Sequence, residues 1–143
     1  MVEVLVAVLV LSIGLIGLAS LQGVSLQFNN SAYLRSQATN LAYDMADRMR
    51  ANRGQAIIAG SPYNIAVGSP IPAAGTLAET DLNEWLTALQ NTLPAGTGGV
   101  IVVPGGNATI LVCWDDTRGE GAAGAPAQCT AANLMGFRVE TQL

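Results

Sequence analysis

The chain has 143 residues, enough for one modest domain with its own core. The formal net charge is −4 and the 6 Lys and Arg residues do not cluster, so nucleic acid is not an expected partner. Histidine is absent, which removes the commonest general base and the commonest metal ligand.

The first element is a run of apolar residues, "MVEVLVAVLVLSIGLIGLAS", whose only charge is Glu3; the next charged residue is Arg35. Val4 to Leu21 is about the ~20 apolar residues that cross a bilayer as a helix. A secretory signal would have a shorter apolar core, a basic front and a small-residue cleavage site. Here the front is acidic and the pattern runs on past Gln22, so the segment is read as retained. Near a helix N-terminus Glu3 meets the positive end of the dipole, but that does not explain its presence in a greasy run.

The helix is expected to continue beyond the lipid. No proline interrupts Val24 to Arg53, and Leu34, Ala38, Leu41, Met45 and Met49 recur as one helical stripe. Asp44 with Arg48 and Asp47 with Arg50 are spaced as intrahelical ion pairs. Arg48, Arg50 and Arg53 suit the negative end of the dipole, and Gly54 is the expected C-cap. Asn29-Asn30-Ser31 is the expected site of a bend or local melting.

Residues 55–78, rich in Ala, Gly, Ser and Pro, read as a long irregular connection, a variable surface loop in preference to one held down by the core. "TDLNEWLTALQNTLP" predicts a helix over 81–93 capped by Asp81 with Glu84, burying Leu82, Trp85, Leu86, Leu89 and Leu93. Pro94 ends it, and Gly96, Gly98 and Gly99 form the exit. Three strands follow in "GVIVV", "ATILVCWDD" and "GFRVETQL", with "PGGN" as a turn. In the second, Ile110, Val112 and Trp114 share one face and Leu111 and Cys113 the other. A sheet with one wet face needs a cover on its dry face, and the helical stripe is the natural one, with Trp85 as core. The fold class is therefore α+β, a long N-terminal helical spine on a small antiparallel sheet. The chain divides into an apolar half-helix (1–23) and a globular domain (24–143), the latter made of helix 24–53, loop 55–78, helix 81–93 and a sheet and cysteine region over 99–143.

Two stretches carry a family resemblance. "MVEVLVAVLVLSIGLIGLASLQ" resembles the N-terminal segment of type IV pilins and pseudopilins, and the D-L-x-E-W-x-x-x-L-x-x-x-L-P pattern of Asp81 to Pro94 looks like the minor pilins of the PilV type. In that family a membrane prepilin peptidase cuts a leader after a glycine and the new N-terminal residue is methylated. A glutamate a few positions on is thought to neutralise the N-terminal amine of a neighbouring subunit. The resemblance gives Glu3 that assembly role. The leader, the cleavage glycine and the first mature residues are absent here, so Met1 is read as an internal residue and processing is not legible.

A chain that crosses a membrane with two cysteines points to a disulfide, Cys113 to Cys129, in an oxidising periplasm; two unrelated buried thiols are the alternative. A disulfide-bounded C-terminal region is also common in type IV pilins. Asp115, Asp116 and Glu120 lack the alternation of a calcium loop and are read as solvated, with no metal expected. No nucleophile has a plausible base, so neither an enzyme nor a cofactor is expected. The resemblance implies a structural subunit of a pilus tip or initiation complex, first in the bacterial inner membrane and then in the surface pilus. Its implied partners are other minor pilins, the major pilin, a large tip adhesin and the inner-membrane assembly machinery. A minor pseudopilin of a type II secretion system has nearly the same N-terminus, and a non-assembling bitopic binding module is the alternative of another class.

Overall fold

The computed structural model describes residues 2–116, 126–130 and 134–143. The elements in chain order are α1 (Val2–Ala51), α2 (Arg53–Ala56), α3 (Leu77–Thr92), β1 (Thr97–Val103), β2 (Asn107–Trp114), α4 (Ala127–Thr130) and β3 (Met135–Gln142). The architecture is α+β, one long helix packed by its second half on a three-stranded antiparallel sheet of order β1-β2-β3.

At 50 residues, α1 is roughly 75 Å long. It runs without interruption through Asn29-Asn30-Ser31, where local melting was expected. Contacts with the domain begin at Ser31, whose hydroxyl donates to Asp116, and at the buried Leu34, while Asn29 and Asn30 remain exposed. At its C-terminus the helix stops sooner than the sequence indicates. Asn52 adopts φ −109 and ψ 40, and a separate turn, α2, follows. Gly54 therefore lies inside α2 and is not the C-cap of α1.

The buried face of α1 is Leu34, Ala38, Ala42, Met45, Ala46 and Met49. Leu41, expected on this face, is only partly buried at its edge. The seam is narrower than the hydrophobic stripe implied. Alanines at 38, 42 and 46 let the helix backbone approach its neighbours, and the larger Leu34, Met45 and Met49 fill between. α3 packs beside α1 and closes the core over Trp85, which is fully buried and donates its indole N–H to the Leu41 carbonyl at 2.8 Å.

α3 begins at Leu77, four residues before Asp81. Thr76 is its N-cap and Glu79 the third residue of a complete capping box: the Thr76 hydroxyl accepts from Glu79 N–H at 3.3 Å and Glu79 Oε2 accepts from Thr76 N–H at 2.7 Å. After Leu93 the chain turns at Ala95, with φ 49, and enters β1 directly. Gly98 and Gly99 are thus strand residues, not exit loop. A Cβ on Gly98 would meet Trp85 Cη2 at 2.4 Å, so only glycine lets the indole lie on this strand.

Val103 and Asn107 pair across the Pro104-Gly105-Gly106 turn, where the two glycines take φ 106 and 85. β2 is the central strand, with Ile110 opposite Val100 on one side and Val139 on the other. Its Ile110, Val112 and Trp114 enter the core. Its other face is not simply wet, because Leu111 and Cys113 are buried in a second small cluster with Cys129, flanked by Val67 and Leu134.

The 55–78 connection is held by the core. Tyr63 is fully buried, Ile65 and Val100 exchange backbone hydrogen bonds at 2.9 Å, and Val102 N–H donates to Asn64 Oδ1 at 2.7 Å. Its Gly and Pro content obscured this, since the anchors are only three residues, Tyr63, Asn64 and Ile65.

Enlarging the alanine seam should be costly where enlarging the free half of α1 is not. Ala42→Leu is expected to destabilise the domain by about 1–3 kcal/mol through overpacking, seen as a lower melting temperature in detergent. Ala7→Leu, an enlargement in the exposed half, should leave that temperature unchanged.

Candidate functional site

From residue 2 to residue 30 every side chain of α1 is exposed to its surroundings, Val2 at 73%, Leu5 at 71% and Ile16 at 71% among them. Contiguous apolar surface on this scale is not stable in water and calls for lipid or other apolar helices around it. The helix is long and apolar enough to cross a membrane, with 0% of its most apolar stretch buried within the chain. The Ser12 hydroxyl donates to the Val8 carbonyl at 2.7 Å, so its polar group is satisfied within the helix.

Glu3 lies in the first turn. Among the described residues it makes no ion pair, and the arginine nearest in sequence is Arg35. A carboxylate in apolar surroundings is costly unless it is paired, and the described part of the head supplies no cation to Glu3.

The other expected packing residues are Leu34, Met45, Met49 and Trp85, all buried, with Leu41 half-buried at the border. Where α1 enters the head, the Ser31 hydroxyl donates to Asp116 Oδ2 at 2.6 Å. Asp116 is buried rather than solvated, with its Oδ1 unpartnered. Glu120 lies outside the described residues. Among the described residues no three His, Cys, Asp or Glu side chains are grouped as a metal site.

Cys113 and Cys129 are bonded to each other across a sequence separation of 16, and both are fully buried. The bond ties α4 to the outer face of β2. It also crowds β3, for a Cβ on Gly136 would lie 2.5 Å from Cys129 Sγ.

A polar clamp joins α1, α3 and the connecting segment, and sequence reasoning missed it. Asp81 accepts from the Tyr63 hydroxyl at 2.5 Å and from Arg48 at 3.5 Å, while Arg48 donates to Glu84 at 2.7 Å and to Asp44 at 3.0 Å. Asn52 donates to the Tyr63 oxygen at 3.0 Å. The Glu84 hydrogen bond is the chief reason the Arg48 guanidinium is held more basic than usual. Burial first, and the Asp81 hydrogen bond second, push the Tyr63 phenol up to about 12. Asp81 and Glu84 have the pattern of a cap because they precede an apolar run, but Thr76 is the N-cap. The Thr76-x-x-Glu79 signature earlier in the sequence marks the true start.

A cleft of about 570 Å³ opens on the outer sheet face over Ile65, Val67, Ile101 and Leu111. Its polar groups do not converge: Arg138 pairs with Glu140, and Asn64 Oδ1 is taken by Val102 N–H. The clamp, the disulfide and the cleft belong to the head, whereas the free half of α1 is the feature that the described residues leave without partners.

The fold and this surface together define an α+β protein carried on one long helix whose apolar half can enter a membrane. No protein family, curated protein or solved structure matches the chain.

Because the Tyr63 pKa is raised on folding, its neutral form contributes stability that is complete below pH 10 and is lost as pH climbs through about 12. Tyr63→Phe should cost about 1–2 kcal/mol at neutral pH and flatten the alkaline loss, read from melting temperatures across that interval. Replacing both cysteines by alanine should destabilise the head by about 3 kcal/mol, and non-reducing peptide mapping of the parent should recover Cys113 linked to Cys129.

Proposed function

We propose that the chain is a minor type IV pilin of the PilV type, with a pilin-like fold, acting as a structural subunit rather than an enzyme. The observation that carries this reading is the division of α1. One half packs on the chain's own sheet, while the other is wholly exposed, apolar and charged only at Glu3. Such a helix suits two successive environments, a bilayer before assembly and a bundle of similar helices after it. Lipid and neighbouring apolar helices offer the same solvation, so transfer between them costs little.

In this reading Glu3 meets the N-terminal amine of an adjacent subunit. The helix first spans the bacterial inner membrane with the head in the periplasm, where the Cys113–Cys129 bond would persist. The partners are other minor pilins, the major pilin, a large tip adhesin and the inner-membrane assembly machinery, with a prepilin peptidase acting earlier. The subunit sits in the tip or initiation complex that primes the pilus. A pseudopilin of a type II secretion system would use the same helix, and recovery in sheared surface pili distinguishes the two.

Glu3→Ala should leave the head folded, with an unchanged melting temperature, and reduce recovery in sheared filaments at least about tenfold, as expected for an unpaired charge partner. Glu3→Gln should fail similarly because it keeps the size and loses the charge. Parental incorporation of either variant would refute the assembly role.

A further inference from the structure

The two edges of the sheet differ. β1 is closed on its outer side: Ile65 and Val100 exchange both backbone hydrogen bonds, Val102 N–H is held by Asn64, and Thr97 Oγ1 accepts from Gly68 N–H at 3.1 Å. β3 pairs with β2 along all 8 residues. Among the described residues, no backbone hydrogen bond leaves its other side. The two flanking bonds, Leu134 N–H to Cys129 O and Leu143 N–H to Gly106 O, lie just beyond its ends. A strand with one free row of N–H and C=O groups is a template for another strand.

The side chains restrict what could pair there. Arg138 and Glu140 are exposed on the face away from α1 and form an ion pair with each other. Charges on an edge commonly repel unwanted strands, but these two neutralise one another and leave no net repulsion. Val139 between them points into the core on the α1 side.

We propose that β3 accepts an extended segment of a different protein as a fourth, antiparallel strand. The segment carries an acidic residue opposite Arg138, a basic residue opposite Glu140 and an apolar residue between them. A second copy of the chain also has this pattern, because an antiparallel pair centred on Val139 sets each Arg138 against the other strand's Glu140. The two-fold axis of that pair stands normal to the sheet, and α1 lies across the sheet face. The two apolar half-helices would then run in opposite directions, which a single bilayer does not permit. The partner is thus a chain free of that constraint. This last step rests on the membrane reading of α1, whereas the open edge does not.

The probe is a synthetic peptide with the sequence of residues 134–143, which carries the pattern without α1. Added to the full chain in detergent, it should bind saturably and slow backbone hydrogen exchange over 137–142 and not in β1. A peptide with its Arg and Glu exchanged should bind about tenfold more weakly, since two attractive cross-strand pairs become repulsive. The chain carrying Arg138→Glu with Glu140→Arg, both at exposed positions, should reverse that preference. Absence of binding, protection elsewhere, or indifference to the charge exchange overturns the proposal. Self-cross-linking through β3 of the full chain in lipid vesicles also overturns it, by assigning the edge to a second copy. Failure of the Glu3 experiment would leave the peptide result unaffected.

Discussion

The structure depends on the seam where the second half of α1 meets the sheet and α3. Its alanines at 38, 42 and 46 are fully buried, and Met45 and Met49 fill the space beside them. Close approach of a helix to other elements removes apolar surface from water at about 25 cal/mol per Å², provided that no void remains. Trp85 closes the seam from α3, and Gly98 provides the room for its ring. Every other part of the head is placed by reference to this contact. β2 lies beneath the seam, and β1 and β3 pair on either side of it.

The seam also separates two kinds of stability in one helix. Residues of α1 up to about Phe28 contribute nothing to the head, and their helicity needs only an apolar surrounding in which backbone groups must bond internally. Residues beyond it are helical because one face is buried. The polar clamp around Asp81 supports this second half, since Arg48 reaches from α1 to Glu84 and Asp81 on α3. These charges are partly exposed, so their contribution to stability is modest. The disulfide acts at the far side of the sheet, joining β2 to α4.

Some of this was legible in the residues. The helical period of Leu34, Met45 and Met49, the strand alternation of Ile110, Val112 and Trp114, and the glycine turn before Asn107 all express local geometry, and local geometry repeats along the chain. Asp81 was not legible in the same way. An acidic residue before an apolar run has the pattern of a cap, and only the positions of Tyr63 and Arg48, distant in sequence, give it another role. Leu41 misled for a related reason. It has the right period, yet Ala42 and Ala46 sit deeper, because close helix packing favours small side chains over large ones.

The sequence by itself determined that a long helix begins with an apolar half bearing one carboxylate, that an antiparallel sheet follows, and that the cysteines lie where a bond is useful. These follow from periodicity, charge placement and the spacing of the cysteines, which need no partner in space. The tertiary structure alone decided which face of the helix is buried, how firmly the 55–78 segment is held, and which segment closes the β1 edge. Each of those depends on residues far apart in sequence, such as Ile65 closing β1 at Val100 while nothing among the described residues does the same for β3. Pairing at an edge is a choice between competing distant segments, and no local pattern records which segment takes it.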